Sequence, residues 1–197
     1  RPATNRLLAG LPLVDYQRLA LHLSEIKVDR NQVIQRAGEP IRHVYFPNDG
    51  LFSVTAGLPD GAMIEAATIG AGGMLGVEAF FGEDASAPGH TIVEVPGTLA
   101  RLDVVAFRHE IASGGALHRL VRRYVPLFIG QTIHVSACNA LHNVQQRLAR
   151  WLLLAIDRLD DGSGLHVSHE FLAVILGARR PTISVAAAAL QRAGMTT

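Results

Sequence analysis

The stretch that decides the fold is VSHEFLAVILGARRPTISVAAAALQRAGM, residues 167 to 195. Ser168 stands where a helix N-cap accepts a backbone N–H, and Glu170 falls in the first turn, where the helix dipole favours an acid. Gly177 can adopt the positive φ of a tight turn, and Pro181 is tolerated in the first turn of a following helix. The pattern predicts one helix over about 169–176 and a second from about 180, joined by a short turn.

The spacing of small and branched residues in this segment is typical of a helix-turn-helix. Ala173, Gly177 and Ile183 put a small residue at the helix crossing, a glycine in the turn and a branched apolar residue on the core side of the second helix. An ordinary helical hairpin shares that spacing. The front of the second helix, however, carries side chains suited to phosphates and base edges: Arg179, Arg180, Thr182 and Ser184. We therefore predict DNA binding.

The first half of the chain has a β texture. A short amphipathic helix is predicted over residues 5–25, and from Val33 to about Leu102 short apolar or alternating runs are separated by turn residues. Asp-Gly pairs at 49–50 and 60–61 stand in hairpin positions. The pattern indicates an antiparallel β-roll of the jelly-roll or cupin-like kind.

The second half is helical. A long helix is predicted over 116–141, with a kink near 122–126 caused by Pro126, and another helix over 144–159 is followed by a loop at 160–164. Along this long helix, two interleaved sets of residues, each with a spacing of seven, predict a dimer seam. The seam comprises Leu117, Leu120, Tyr124, Leu127, Gln131, His134, Cys138 and Leu141. We divide the chain into a sensor domain (1–115), a dimerisation helix (116–142) and a DNA-binding domain (143–197).

The composition excludes several classes of protein. The 197 residues are 49% hydrophobic and 18% charged, which is typical of a folded globular chain. The single cysteine, Cys138, leaves no partner for an intrachain disulfide and rules out a four-cysteine iron–sulfur cluster. No apolar run approaches the roughly 20 residues of a membrane span, and no export signal opens the sequence. We expect a cytoplasmic protein without membrane contact.

The net charge of +1 hides an asymmetry between the two halves. Residues 1–115 carry 9 Lys and Arg against 13 Asp and Glu, whereas residues 116–197 carry 9 against 4. An excess of basic residues in the second half indicates a polyanionic partner, although a basic helix face exposed to solvent would produce the same excess.

The order of these parts resembles the Crp/Fnr family of bacterial transcription regulators. The most specific stretches are GEPIRHVYFPNDGLFSV (38–54), HNVQQRLARWLLLAIDRL (142–159) and the helix-turn-helix. The resemblance implies an α+β chain with an effector-sensing β-roll, a dimerisation helix and a winged helix-turn-helix, whose wing is not among these 197 residues. It also implies a homodimer that binds palindromic double-stranded DNA, with RNA polymerase as a further partner.

The resemblance carries over to individual residues of the second helix. Ser168 and Thr182 match phosphate-contacting positions, and Arg180 matches the arginine that reads guanine. Pro181 stands where the family often has Glu, and Val185 where it often has a second Arg. Because neither side chain can make a polar base contact, we expect a different operator, with Val185 suited to a thymine methyl group.

The corresponding effector pocket comprises Gly76, Val77, Glu78, His90 and Thr91. Family members that bind cyclic AMP place a Glu near the Val77 position and an Arg near the His90 position. Without that arginine a buried phosphate loses its charge-assisted contact, so we do not expect cyclic AMP, and the effector remains unknown. Glu78 and His90 are either replacement ligands or, as we favour, solvated surface residues.

Two alternatives to an effector-controlled regulator stay open. His134, Cys138 and His142 share one helix face and would suit a transition metal, but we favour packing of Cys138 and predict no metal site. A cupin-like small-molecule-binding protein or metalloenzyme would need a ligand cluster in the β part, where no HxH or HExxH spacing occurs. We therefore predict a DNA-binding regulator and not an enzyme.

Overall fold

The computed structural model describes residues 3–57, 62–159 and 165–195. In these ranges the first half forms two antiparallel sheets, which confirms the predicted β-roll. The three-stranded sheet has the order β1-β7-β3, with β1 at Leu23–Val28, β7 at Gly97–Asp103 and β3 at His43–Pro47. The four-stranded sheet has the order β2-β6-β4-β5, with β2 at Val33–Gln35, β6 at His90–Val95, β4 at Leu51–Gly57 and β5 at Met63–Ile69.

The N-terminal segment departs from the predicted single helix over 5–25. It forms two short helices, α1 (Arg6–Ala9) and α2 (Leu13–Ala20), and then enters β1. Pro12 lies at the break, where it disfavours helical geometry in the preceding residue. Leu23 pairs with Leu102 of β7, so long-range strand pairing outweighs the local helical period from that residue onward.

The predicted hairpin at residues 49–50 is also wrong, because β3 and β4 belong to different sheets. The turn instead forms a corner between the sheets. Gly50 has a φ of +82°, and a Cβ atom there would lie 2.8 Å from the Val95 carbonyl oxygen. Asp49 accepts a hydrogen bond of 2.6 Å from the Thr98 backbone N–H. The other predicted turn, at 60–61, lies outside the described residues, while β4 and β5 on either side of it pair antiparallel.

The second half contains the predicted helices. A 3-10 helix (Val77–Phe80) and α3 (Val104–Ala112) precede α4 (Ala116–Leu141), α5 (Val144–Arg158), α6 (His169–Ile175) and α7 (Arg180–Arg192). An Asn143–Gln146 capping box starts α5. The helix α4 continues through Pro126, and the kink stays a prediction. The predicted loop at 160–164 lies outside the described residues.

The eight residues of the predicted seam divide between two environments. On one side of α4, Leu117 and Cys138 are each 4% exposed, and Gln131 donates a hydrogen bond of 2.9 Å to the Thr68 carbonyl of β5. Leu120 and Tyr124 are half-buried on the same side. The remaining three residues are exposed: Leu127, His134 and Leu141. One face of α4 therefore covers the chain's own β-roll.

A buried carboxyl group on β5 is one of the contacts that join the β-roll to the helical half. The side chain of Glu65, on β5, accepts hydrogen bonds from the hydroxyls of Ser53 and Thr68 and, at 3.0 Å, from the indole N–H of Trp151 on α5. Its backbone carbonyl accepts one of 3.2 Å from the Asn139 side chain of α4. We refer to this arrangement as the Glu65 junction. It fixes α4 and α5 against the same strand.

Replacing Trp151 by Phe tests the Glu65 junction. Trp151→Phe retains an aromatic ring but removes the indole donor, which leaves a buried carboxyl group short of one partner. We expect a loss of about 1–3 kcal/mol in the free energy of unfolding, measured by urea denaturation. Leu153→Ala, at an exposed position of the same helix, is the control and should change stability little. Equal losses in the two variants would show that the hydrogen bond contributes nothing.

Candidate nucleic-acid interface and sensor pocket

The helices α6 and α7 form the predicted helix-turn-helix and are bent by 109° relative to each other. Gly177 in the turn has a φ of +56°, and the Ala178 N–H donates a 2.9 Å hydrogen bond to the Ala173 carbonyl. A Cβ atom on Gly177 would lie 3.3 Å from the Ile64 side chain of β5. A side chain here is therefore disfavoured both by the backbone conformation and by contact with the β-roll.

One face of α7 is anchored in an apolar core, which leaves the opposite face free. Ile183, Ala186 and Leu190 are buried in a cluster with residues of α5 and α6. Trp151 lies in this cluster with no exposed surface, and Leu51 of β4 joins it from the β-roll. Because the side of α7 that carries Ile183, Ala186 and Leu190 packs against this core, the opposite side and the N-terminal end of the helix face solvent.

The predicted DNA-binding residues lie at or near the N-terminal ends of α6 and α7, and the contacts Glu170–Arg180 and His169–Ser184 hold these two ends close to each other. Exposed positions are Ser168, Arg179, Arg180, Pro181, Thr182 and Val185, while Ser184 is half-buried. Ser168 is the N-cap of α6 and accepts a 3.2 Å hydrogen bond from the Phe171 N–H, as the sequence predicts. The Ser184 hydroxyl donates to the Arg180 carbonyl at 3.2 Å and contacts the His169 ring at 3.0 Å, so it is engaged within the protein.

Arg180 has an intramolecular partner that sequence reasoning missed. Its Nε lies 3.2 Å from a carboxylate oxygen of Glu170, and both side chains are largely exposed. The sequence suggested only the helix-dipole position of Glu170, because the approach across the turn depends on the angle between the helices. An exposed ion pair of this kind contributes about 0–1 kcal/mol, so it can orient the guanidinium without preventing its transfer to another acceptor.

The predicted sensor pocket is almost filled by protein atoms. Gly76, Val77, Glu78 and Thr91 line a common cavity of about 10 Å³, into which α4 contributes Phe128. That volume is at the lower limit for one water molecule, whereas pockets for small organic ligands are usually about 300–1,000 Å³. The fifth residue, His90, lines no part of this cavity, and its Nδ1 accepts a 3.3 Å hydrogen bond from the Ala37 N–H.

The electrostatics of the sensor pocket oppose a phosphate group. Glu78 is half-buried, so the favoured interpretation of this residue as a solvated surface residue is wrong. Burial raises the pKa of Glu78 above its ordinary value, so the side chain is costly to ionise and would add negative charge if it did. Thr91 is occupied by a 3.2 Å hydrogen bond to the Gln35 side chain. The cavity lining includes no arginine or lysine. In this arrangement the pocket fits neither the size nor the charge of a cyclic nucleotide.

The three residues considered for a transition metal, His134, Cys138 and His142, lie in different environments in the structure. Cys138 is buried, whereas both histidines are exposed at the surface of α4 and its C-cap. Within the described ranges, no three His, Cys, Asp or Glu side chains cluster closely enough to hold a metal ion.

Comparisons with known proteins place the chain in a family. The family model of the cyclic nucleotide-binding domain matches residues 25–113, and that of the Crp-like helix-turn-helix domain matches residues 146–197. The transcriptional regulator LdrP of Thermus thermophilus is 30% identical over 174 residues, which cover 84% of each protein. A solved Crp-family transcriptional regulator from the same species is 28% identical, with a TM-score of 0.68 and coverage of 86% of this chain and 85% of that one.

The fold is shared more widely than the sequence. The c-di-GMP-responsive global regulator CLP of Xanthomonas campestris has a TM-score of 0.72 over 93% of both chains at 17% identity. The architecture and the matches together define a helix-turn-helix transcription regulator with an N-terminal domain of the cyclic nucleotide-binding family. The chain belongs to the Crp/Fnr family, a family of DNA-binding transcription regulators rather than enzymes.

One further property concerns membranes. In the described part of the chain no single helix has the length and apolar character of a membrane span, and the bent pair of α6 and α7 has them only when its two helices are counted together.

We predict that cyclic AMP does not bind to the sensor pocket. Isothermal titration of the folded protein should give no saturable heat, because the cavity is too small and lacks a cation for the phosphate. Phe128→Ala separates the two causes, since it enlarges the cavity without adding charge, and it should still fail to bind. Saturable binding by the unmodified protein would show that the pocket opens and that another residue replaces the missing arginine.

Proposed function

We propose that this regulator acts as a homodimer that binds a palindromic operator through the exposed N-terminal end of α7. The observation that carries the proposal is the exposure of Arg179, Arg180 and Thr182 at the start of α7, next to the N-terminal end of α6 that Ser168 caps. Backbone N–H groups at a helix N-terminus and hydroxyls suit phosphate oxygens, and arginine suits guanine. Such a regulator acts where the DNA is, which supports a cytoplasmic location.

Arg180 is the residue that we propose reads a base. Its guanidinium can donate two parallel hydrogen bonds to O6 and N7 of guanine, and the exposed pair with Glu170 is weak enough to be exchanged for them. Val185, five residues further along α7, is 69% exposed although it is apolar. An apolar side chain in that position is suited to a thymine methyl group, whereas Pro181 offers no polar contact.

Arg180→Ala and Thr182→Ala should have different effects on DNA binding. We expect Arg180→Ala to cost about 1–3 kcal/mol at one base pair and to relax the preference for that pair. Thr182→Ala should weaken binding to all sequences alike, because a phosphate contact carries no sequence information. The measurement is fluorescence anisotropy at fixed salt, on an operator selected from genomic fragments and on its single-base variants.

Arg192→Ala is the matched control for these two variants. Arg192 is exposed in the last turn of the same helix, so its loss removes a charge without removing a proposed base contact. The base preference of Arg192→Ala should equal that of the unmodified protein. Sequence-independent losses for both Arg180→Ala and Thr182→Ala would place the recognition surface elsewhere.

The dimer interface that we propose is the exposed face of α4. Ile133 is 65% exposed and Leu141 82% exposed, and neighbouring apolar side chains that share one exposed helix face point to an interaction surface, whereas a single exposed one does not. Gly130 and Ala137 continue the same face at helical spacing, and a Cβ atom on Gly130 would meet no other atom within 4 Å. Small residues between large apolar ones allow two helix backbones to approach closely. Leu127 and His134, from the predicted seam, border this face.

Ile133→Glu should separate the dimer into monomers. Two carboxylates would face each other near the two-fold axis, and burial of unpaired like charges is strongly unfavourable. Sedimentation equilibrium measures the state of association, and circular dichroism verifies that the fold is retained. Leu153→Glu, at an exposed apolar position of α5, is the control and should remain dimeric. A dimeric Ile133→Glu variant would exclude this face as the interface.

Control by a signal is the remaining part of the proposal. The Glu65 junction connects the β-roll to α4 and α5, so a change of packing at β5 would alter the position of the helix-turn-helix. We propose that an effector acts through this connection and changes the distance between the two recognition helices. Contact with RNA polymerase is proposed on the family resemblance.

A further inference from the structure

A second cavity lies between the β-roll and the DNA-binding half, and it is much larger than the sensor pocket. Its volume is about 420 Å³, and it separates the outer face of β4, β5 and β6 from α6. We refer to it as the interdomain cavity. Its walls are largely apolar, with Met63 and Ile92 on the β-roll side and Phe171, Val174 and Ile175 on the α6 side. The volume lies within the usual range for small organic ligands.

One buried polar side chain that lines this cavity, Glu94, has no hydrogen-bond partner among the described residues. Glu94 is only 3% exposed, and among the described residues neither of its carboxyl oxygens has a hydrogen-bond partner. It stands two residues after Ile92 on β6, so both face the interdomain cavity, whereas Val93 between them packs into the interior of the β-roll. A buried polar group without a partner is rare in folded proteins and calls for a ligand or another explanation.

The charged and polar groups around Glu94 indicate which kind of ligand its carboxyl group can bind. Burial raises its pKa to about 8; the Ser53 hydroxyl on β4 and Arg30 in the loop before β2 oppose this shift, and Glu65 on β5 adds to it. Ser53, however, donates its hydrogen bond to Glu65. On α6, Glu170 also lines the cavity, and Arg30 is the positive group in the lining. Among the described residues, the Glu94 carboxyl group is therefore left without a hydrogen-bond donor and without a paired positive charge.

We propose that the interdomain cavity binds a small apolar amine, whose ammonium group pairs with Glu94 and whose hydrocarbon or aromatic part packs against α6. An ammonium group supplies the three donors and the charge that the carboxyl group lacks. An anionic ligand would instead face the unpartnered carboxyl group of Glu94, while Arg30, the positive side chain of the lining, is exposed.

Occupation of the cavity would act on the helix-turn-helix directly. The cavity lining includes Val167 and the N-cap Ser168, and Ser168 is also one of the residues proposed to contact DNA. This consequence rests on the proposed function, because it names the place at which a ligand would control DNA binding. The binding of an amine itself does not depend on that function and can be measured without DNA.

The test uses 2-phenylethylamine as the amine and 2-phenylethanol as its neutral counterpart. Isothermal titration of the whole protein should give saturable binding of the amine and none of the alcohol. The amine needs an ionised carboxylate, so its affinity should rise with pH up to about 8 and level off above it. At pH 7 binding should also release a proton, which is detected as a difference in heat between buffers of different ionisation enthalpy. Equal binding of amine and alcohol, or no saturable amine binding, would overturn the proposal.

Two variants locate the site. Glu94→Gln keeps the size of the side chain and should weaken amine binding by at least about tenfold and abolish proton release, since it removes a charge-assisted hydrogen bond. Glu83→Gln, at an exposed position, is the matched control and should bind as the unmodified protein does. Val174→Trp fills the cavity from α6 and should abolish binding. Retention of binding by Glu94→Gln or by Val174→Trp would place the amine elsewhere.

Two measurements on the same proteins, amine binding and operator binding, test this inference and the proposed function independently. Operator binding is measured by anisotropy with and without the amine. Operator binding without saturable amine binding would overturn the inference and leave the proposed function intact. Saturable amine binding that Glu94→Gln removes, in a protein that selects no operator, would support the ligand site and overturn the proposed function.

Discussion

The buried carboxyl group of Glu65 sets the geometry on which the other parts of this regulator depend. A carboxyl group taken out of water must find donors, and here they come from β4, from β5 itself and from Trp151 on α5. Because one of these donors belongs to the DNA-binding half, satisfying the carboxyl group also fixes the position of α5. The helix-turn-helix follows, since Ile183 and Trp151 share one apolar cluster.

The helix α4 connects the same strand to the second subunit that we propose. One of its faces covers the β-roll, where Phe128 closes the sensor pocket and Asn139 bonds to the Glu65 carbonyl. The other face is apolar and exposed. In the mechanism that we propose, a movement of β5 would reach both the proposed dimer face and α7 through packed contacts. The small sensor pocket and the larger interdomain cavity lie on opposite faces of the β6 strand, so a ligand in the latter would act close to α6 without opening the former.

Much of the architecture follows from the sequence, for reasons that are local. The starts of α6 and α7 were predictable because Ser168 and Pro181 signal helix starts within the segment itself. The strand β1 was not, because Leu23 continues an apolar helical period and only pairing with β7 makes it a strand. The corner at Gly50 looked like a hairpin turn, since an Asp-Gly pair carries no information about which sheet the next strand joins.

The sequence by itself determined the order of β-roll, long helix and helix-turn-helix, the family, and the residues at the front of α7, because periodicity, caps and turn glycines act over a few neighbouring positions. Only the tertiary structure decided which side of α4 is free, since the same seven-residue period serves packing on the chain's own sheet and on a partner. It also decided that the sensor pocket is filled, that Glu170 reaches Arg180, and that Glu94 lies without a partner under α6. These features depend on contacts between residues far apart in the chain, whose distances no local pattern encodes.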